Sequence, residues 1–260
     1  MRRLLAALVI LSLCAVTATS AQAAETVKLK VAFSPNHLGE STTILIGFKI
    51  HSTTSELPSP LTHFNLGLPR GMGLGTTTLG EVTCVRPGLE ARGLPGCSGN
   101  SLMGMGEAVT DVEFGSDIIE ERAKITLLMA PPIEHHTTLL FFAAARSPVL
   151  DEEIFQGELL PGTGPNSAQL STAIPIMATV PEGPDVAIVE MHSSLGPRGV
   201  RYHRLVNGYE TTYTPIGMTV PNACPLRGWL FAAAFAFQDG SSVIAKSRVG
   251  CPHVASLAKH

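Results

Sequence analysis

The chain has 260 residues, of which 45% are hydrophobic and only 15% charged, and its formal net charge at pH 7 is −3. Charged residues usually make up about 25% of a globular chain, and here no basic run or stripe stands out. That excludes the electrostatic footprint of a nucleic-acid-binding surface or of a protein drawn to anionic lipid.

In chain order, Arg2 and Arg3 precede an apolar run from Leu4 to Val16, and Ala21-Gln22-Ala23 supplies a small-x-small cleavage pattern. Residues 1–23 therefore read as a secretory signal peptide, too short in its apolar part to span a bilayer. Cys14 would be a lipoprotein attachment site only if a small residue preceded it, and Leu13 stands there. Cleavage after Ala23 leaves 237 residues and, with Arg2 and Arg3 gone, a net charge of about −5. The expected localisation is secreted or extracellular, with no integral membrane segment in the mature chain.

Four cysteines remain, an even number in a compartment that permits disulfides. Chain order favours Cys84–Cys97 and Cys224–Cys251, each closing a short loop rich in Gly and Pro. In the chain-entropy description these loops contribute about 3 and about 3.6 kcal/mol. Zinc is disfavoured, because no two cysteines have the two-residue spacing of a zinc knuckle.

Thr26 to Ser34 alternates Val27, Leu29, Val31 and Phe33 against Lys28 and Lys30, the pattern of a half-buried strand near a sheet edge. Thr42 to Ser52 puts Ile44, Ile46, Phe48 and Ile50 on one face, and Leu61 to Leu68 is a third strand. Met72 to Gly106 is a long Gly-rich stretch, pinned by the first disulfide. Further strands are expected at Ala108–Phe114, Arg122–Met129, Thr137–Arg146, Leu150–Leu160, Ala168–Val180, Val186–Ser193, Arg198–Val206 and Thr211–Val220. Pro175 would make the strand that contains it an edge or bulged one. Cys224 to Pro252 then forms a clamped hairpin, with Trp229, Phe231, Phe235 and Phe237 on one parity and Ala232, Ala234 and Ala236 on the other. A three-residue turn at Asp239-Gly240-Ser241 would set the aromatic side chains opposite Val243, Ala245, Val249 and Cys251. Ser98 to Glu107 is the nearest thing to a helix, and Gly104 and Gly106 argue against it.

These elements predict an all-β fold: a two-sheet antiparallel β-sandwich of about 12–14 strands with two disulfides. Residues 24–260 are expected to form a single sandwich domain, with two smaller packed sandwiches as the alternative.

No catalytic motif assembles. Gly96-Cys97-Ser98-Gly99 lacks the spacing of a nucleophile elbow, and Ser242 to Lys246 misses Ser-x-x-Lys by one residue. His135 and His136 are adjacent and diverge on an extended chain, while His63, His192 and His203 are isolated. Gly71 to Gly75 fits no phosphate loop. Carboxylates cluster as Asp111 with Glu113, Glu120-Glu121, and Asp151-Glu152-Glu153. Asp111 and Glu113 share a strand face, which a carboxylate-based glycosidase would need, but solvated charge is the default reading. Tyr202, Tyr209 and Tyr213 are better placed for a surface role than Trp229, which falls on the core parity. No catalytic, cofactor-binding or metal-ligating residue is assigned, and no cofactor is implied.

Cys224-Pro225, Gly228-Trp229-Leu230-Phe231-Ala232-Ala233, Phe235-Ala236-Phe237, Asp239-Gly240-Ser241 and Cys251-Pro252 resemble the ending of an uncharacterised family of secreted proteins from high-GC actinobacteria. Leu68-Pro69-Arg70-Gly71 and the segment from Cys84 to Cys97-Ser98-Gly99 resemble its earlier elements. Leu226-Arg227-Gly228 departs from it, since a Gly pair is commoner there. The resemblance implies export and an all-β fold, and no activity. The expectation is thus a secreted, non-enzymatic β-sandwich with a binding or structural role in the envelope or outside the cell. The partner is left open, with an envelope component or a glycan as the candidates, and nucleic acid is not expected. A secreted glycoside hydrolase using Asp111 and Glu113, or a small-ligand carrier with an apolar cavity between its sheets, are the alternatives.

Overall fold

The structure, a computed structural model, describes residues 25–74, 78–147, 150–178 and 183–252. The expected signal peptide lies outside the described residues. The strands are β1 (Glu25–Ser34), β2 (Ser41–Ser52), β3 (Leu61–Pro69), β4 (Gly73–Leu74), β5 (Leu102–Phe114), β6 (Asp117–Ile133), β7 (His136–Ala145), β8 (Asp151–Pro161), β9 (Asn166–Ala173), β10 (Ala187–Leu195), β11 (Tyr202–Val206), β12 (Tyr209–Tyr213), β13 (Met218–Thr219), β14 (Trp229–Phe237) and β15 (Ser242–Val249). One helix, α1 (Arg86–Arg92), lies between β4 and β5.

The pairing does not divide these strands into the two sheets of the expected sandwich. Thirteen belong to one continuous path, β15-β14-β3-β9-β8-β7-β6-β5-β10-β2-β13-β4, with β1 added to the other side of β2. The sheet curls until β1 comes alongside β15, giving a nearly closed, barrel-like wall. A sandwich and a barrel demand the same alternation from each strand, apolar towards the core and polar away from it, so the sequence pattern suits either.

The seam between β1 and β15 carries no backbone ladder. The wall from β1 round to β15 contains eleven strands, each antiparallel to its neighbour. Ten antiparallel steps, an even number, leave the first and last strands parallel, and the cross-seam contacts advance together along both. Ser241 Oγ donates to Glu25 Oε2 at 2.7 Å, Val31 N donates to Ser247 Oγ at 3.0 Å, and Asn36 Nδ2 donates to the Gly250 carbonyl at 3.0 Å. Behind them, the Phe33 ring packs on Trp229 at 5.3 Å and on Phe231 at 5.9 Å between centroids. Side chains, not a ladder, hold this joint.

Part of the outward face is charged. Across five neighbouring strands the register aligns Lys30, Gly47, His192, Glu107 and Lys124. Among the described residues no helix is long and apolar enough to cross a membrane.

The C-terminal hairpin keeps the expected parity. Trp229, Phe231, Phe235 and Phe237 are buried, while Ala232, Ala234 and Ala236 are half-buried on the outer face. Its register lies two residues from the expected one: Trp229 faces Val249, Ala233 faces Ala245 and Phe235 faces Val243. The turn has three residues, but they are Gln238, Asp239 and Gly240. Phe237 N bonds to the Ser241 carbonyl at 3.0 Å, and Gly240 takes a φ of +83° that suits the left-handed closing position. At the hairpin's base, Gly228 has a φ of +76°, and a Cβ there would sit 2.2 Å from the Val249 carbonyl oxygen. Glycine is required at that point, next to the fully exposed Leu226.

Both expected disulfides form, Cys84–Cys97 and Cys224–Cys251. The first closes a segment that contains α1, which sequence reading left irregular. Pro87 stands at its first turn, and Leu89 buries its face with Cys84 against Leu128, Leu140 and Phe142 on the outer side of β6 and β7. Three expectations need correction. β9 ends at Ala173, before Pro175, and lies between β3 and β8 instead of at an edge. β6 runs on through Pro131-Pro132 by a register shift between Ala130 and Ile133. Tyr202 is fully buried, its hydroxyl donating to the Leu102 carbonyl and accepting from Gly80 N, so it anchors the β11–β12 hairpin and offers no surface.

Candidate functional site

Where inward side chains are large, the barrel is filled. Around Ile44, Leu66, Leu68, Leu139 and Leu159 only about 20 Å³ is left. Towards the other end the inward positions shrink to Ala108, Ala123, Ala143 and Ala145, and a cavity of about 80 Å³ opens in the lumen. Its walls are Phe48, Phe64, Ile125, Phe141, Phe155 and Leu170. Phe141 and Phe155 are direct neighbours across β7 and β8, stacked at 5.0 Å with planes 3° apart.

Gly157 makes room at the deepest polar point. A Cβ on it would lie 2.7 Å from Thr172 Oγ1 and 2.9 Å from Phe141 Cε2. Thr172, paired with Gly157 across the β8–β9 ladder, is only 2% exposed, and its hydroxyl has no hydrogen-bond partner. A buried hydroxyl left unmatched costs stability. The Thr172 side chain lines the lumen.

The rim is acidic. Glu121, Asp151 and Glu153 all line the lumen, together with Thr110, whose hydroxyl donates to the Glu121 carbonyl at 3.4 Å. Alternation explains the placement. Asp151 and Glu153 share the inward face of β8 with Phe155 and Gly157, and Glu121 shares that of β6 with Ala123, Ile125 and Leu127. Glu121 is buried, at 5% exposure, and Asp151 and Glu153 are half-buried. Burial, reinforced by the Asp151 carboxylate and opposed by the Arg86 guanidinium, raises the Glu153 pKa above its ordinary value.

Asp111 and Glu113 do not join this group. With Thr110 inward, they fall on the outer face of β5, opposite Glu120 and Ile118. Burial and the Glu120 charge raise the Asp111 pKa, while Glu120 itself pairs with Arg122 at 2.8 Å. The histidines are also scattered. His136 Nδ1 lies 3.9 Å from Glu158, His203 pairs with Glu210 at 2.8 Å, and His192 bonds to Glu190, which also holds Lys49 at 2.6 Å. Among the described residues no cluster of His, Cys, Asp and Glu is arranged to hold a metal ion. Two wider grooves, about 710 and 510 Å³, run over the outer face and share Met105 and His192. They are open to solvent and gather no buried polar group.

Sequence reading noted all three rim carboxylates, but only as parts of solvated clusters. The signal that singles them out is parity with an apolar face: position 121 with 123, 125 and 127, and positions 151 and 153 with 155. Comparisons with protein-family models, with curated proteins and with solved structures find no match to the chain.

Proposed function

We propose that the protein is an exported, non-enzymatic binding protein whose barrel lumen takes up a small molecule with an apolar chain. The observation that carries this reading is the lumen itself, an unfilled apolar space walled by stacked Phe141 and Phe155 with the unmatched Thr172 hydroxyl at its side. Interiors are ordinarily packed without such voids, and apolar cavities of this kind take up small apolar molecules. A volume of about 80 Å³ is far below the ~300–1,000 Å³ of drug-sized ligand sites, so the occupant is slender. Export is supported by the signal-like residues 1–23, the two disulfides and the resemblance of the C-terminal segment to secreted actinobacterial proteins. The charged row on five strands of the outer face suits life in the extracellular medium or among envelope components. The expected two-sheet division has no part in this reading, because a closed wall supplies the enclosure that a carrier needs.

The test is a thermal-shift titration with hexan-1-ol. A ligand that binds only the folded state raises the melting temperature in a saturable way. The wild-type protein should show that rise. Ala143→Leu, which fills the lumen, should fold with both disulfides and show none. An equal rise in both proteins would place the binding elsewhere and overturn the reading.

A further inference from the structure

The lumen is polar at two separate levels, and the separation says what kind of molecule fits. At the rim stand Asp151 and Glu153, which form no salt bridge among the described residues; Arg86, the positive charge that acts on Glu153, lies on α1 outside the wall. Deeper, beyond Phe155, Thr172 offers a buried hydroxyl without a partner. Along β8, Glu153 and Gly157 are four residues apart, about 13 Å at strand rise. Between these levels the wall is mostly hydrocarbon, with Phe64, Phe141, Phe155 and Leu170 the largest part of it. An anionic head would meet like charge at the rim, and a purely apolar molecule would leave the Thr172 hydroxyl unmatched and the carboxylates half-desolvated.

We infer that the lumen selects a slender alkyl chain carrying a cationic amine at one end and a hydrogen-bonding group at the other. The ammonium sits between Asp151 and Glu153 at the rim, the chain runs past Phe141 and Phe155, and the far polar group pairs with Thr172 Oγ1. This rests on the lumen being a binding site, and it adds the class of ligand. Charge-assisted hydrogen bonds in a partly dry rim are stronger than neutral ones, so the head group dominates the selection.

Isothermal titration with three molecules of one chain length and a common hydroxyl end isolates the head: 6-aminohexan-1-ol, hexane-1,6-diol and 6-hydroxyhexanoate. The expected order is amine, then diol, then carboxylate, with the amine at least ten-fold tighter than the diol. Asp151→Asn with Glu153→Gln should bring the amine down to the diol's affinity. Thr172→Val should weaken amine and diol by a similar factor and leave their order unchanged. A diol that binds the wild type as tightly as the amine overturns the inference, as does a Thr172→Val protein that binds the amine more tightly. If hexan-1-ol binds while the amine has no advantage over the diol, only the head-group selection fails. If neither hexan-1-ol nor any of the three binds, the lumen reading fails with it.

Discussion

Glu153 shows how a single side chain can report on the lumen. Its carboxyl holds a proton more tightly in the folded chain than in the unfolded one, because burial and Asp151 both disfavour the charge. Folding therefore takes up protons at this group. The contribution to stability is fully present below the unfolded value and is lost as pH rises through the folded value. Glu153→Gln keeps the shape and removes the charge. Its melting temperature should exceed that of the wild type at pH 7, and the difference should vanish once the solution is more acidic than the ordinary carboxylate range. A variant less stable than wild type at pH 7 would mean that a cation compensates the charge in the fold. Residues 151 and 153 were visible in the sequence as acidic, and their placement was not. Alternation shows that they share a face with Phe155, but only the closed wall makes that face an interior.

At the scale of elements, the two joints that keep the barrel closed differ in kind. The C-terminal hairpin is tied at its base by Cys224–Cys251, with Cα atoms 5.7 Å apart and a separation of 27 positions in sequence. Replacing both cysteines by serine should lower the unfolding free energy by about 3.6 kcal/mol in the chain-entropy description, measured by denaturant titration. A loss below ~1 kcal/mol would show that the reduced chain already holds this loop together. The seam between β1 and β15 depends on side chains, with Val31 N donating to Ser247 Oγ. Ser247→Ala should leave that amide unmatched, lower stability by about 1–3 kcal/mol and speed hydrogen exchange at Val31. Unchanged exchange would show that another group takes over the amide. These elements were partly legible in advance. The parity of Trp229, Phe231, Phe235 and Phe237 survives any shift of two residues, so the buried face could be read while the register could not. The register follows the turn, which closes on Gly240 instead of Ser241. The helix α1 escaped notice because Arg-Pro-Gly-Leu-Glu-Ala-Arg is too short to display a period and holds Pro and Gly, which ordinarily end helices. Its stability comes from Leu89 and the disulfide, both matters of tertiary packing.

At the scale of the whole molecule, the choice between two sheets and one closed wall decides what the protein can do. A sandwich built from these strands would press the small residues Ala108, Ala123, Ala143 and Ala145 against a facing sheet. In the barrel they surround an axis, and because they cluster towards one end they leave a space there. Eleven antiparallel strands cannot close with an antiparallel joint, so the wall ends in a parallel seam stitched by Glu25, Val31 and Asn36. The enclosure is thus a consequence of strand number and of where the small residues fall. The most direct test is diffraction from crystals held under xenon pressure, since xenon enters dry apolar cavities of this size class. The account predicts one ordered xenon between Phe141, Phe155 and Leu170. A lumen without xenon in crystals that bind it in the outer grooves would contradict it.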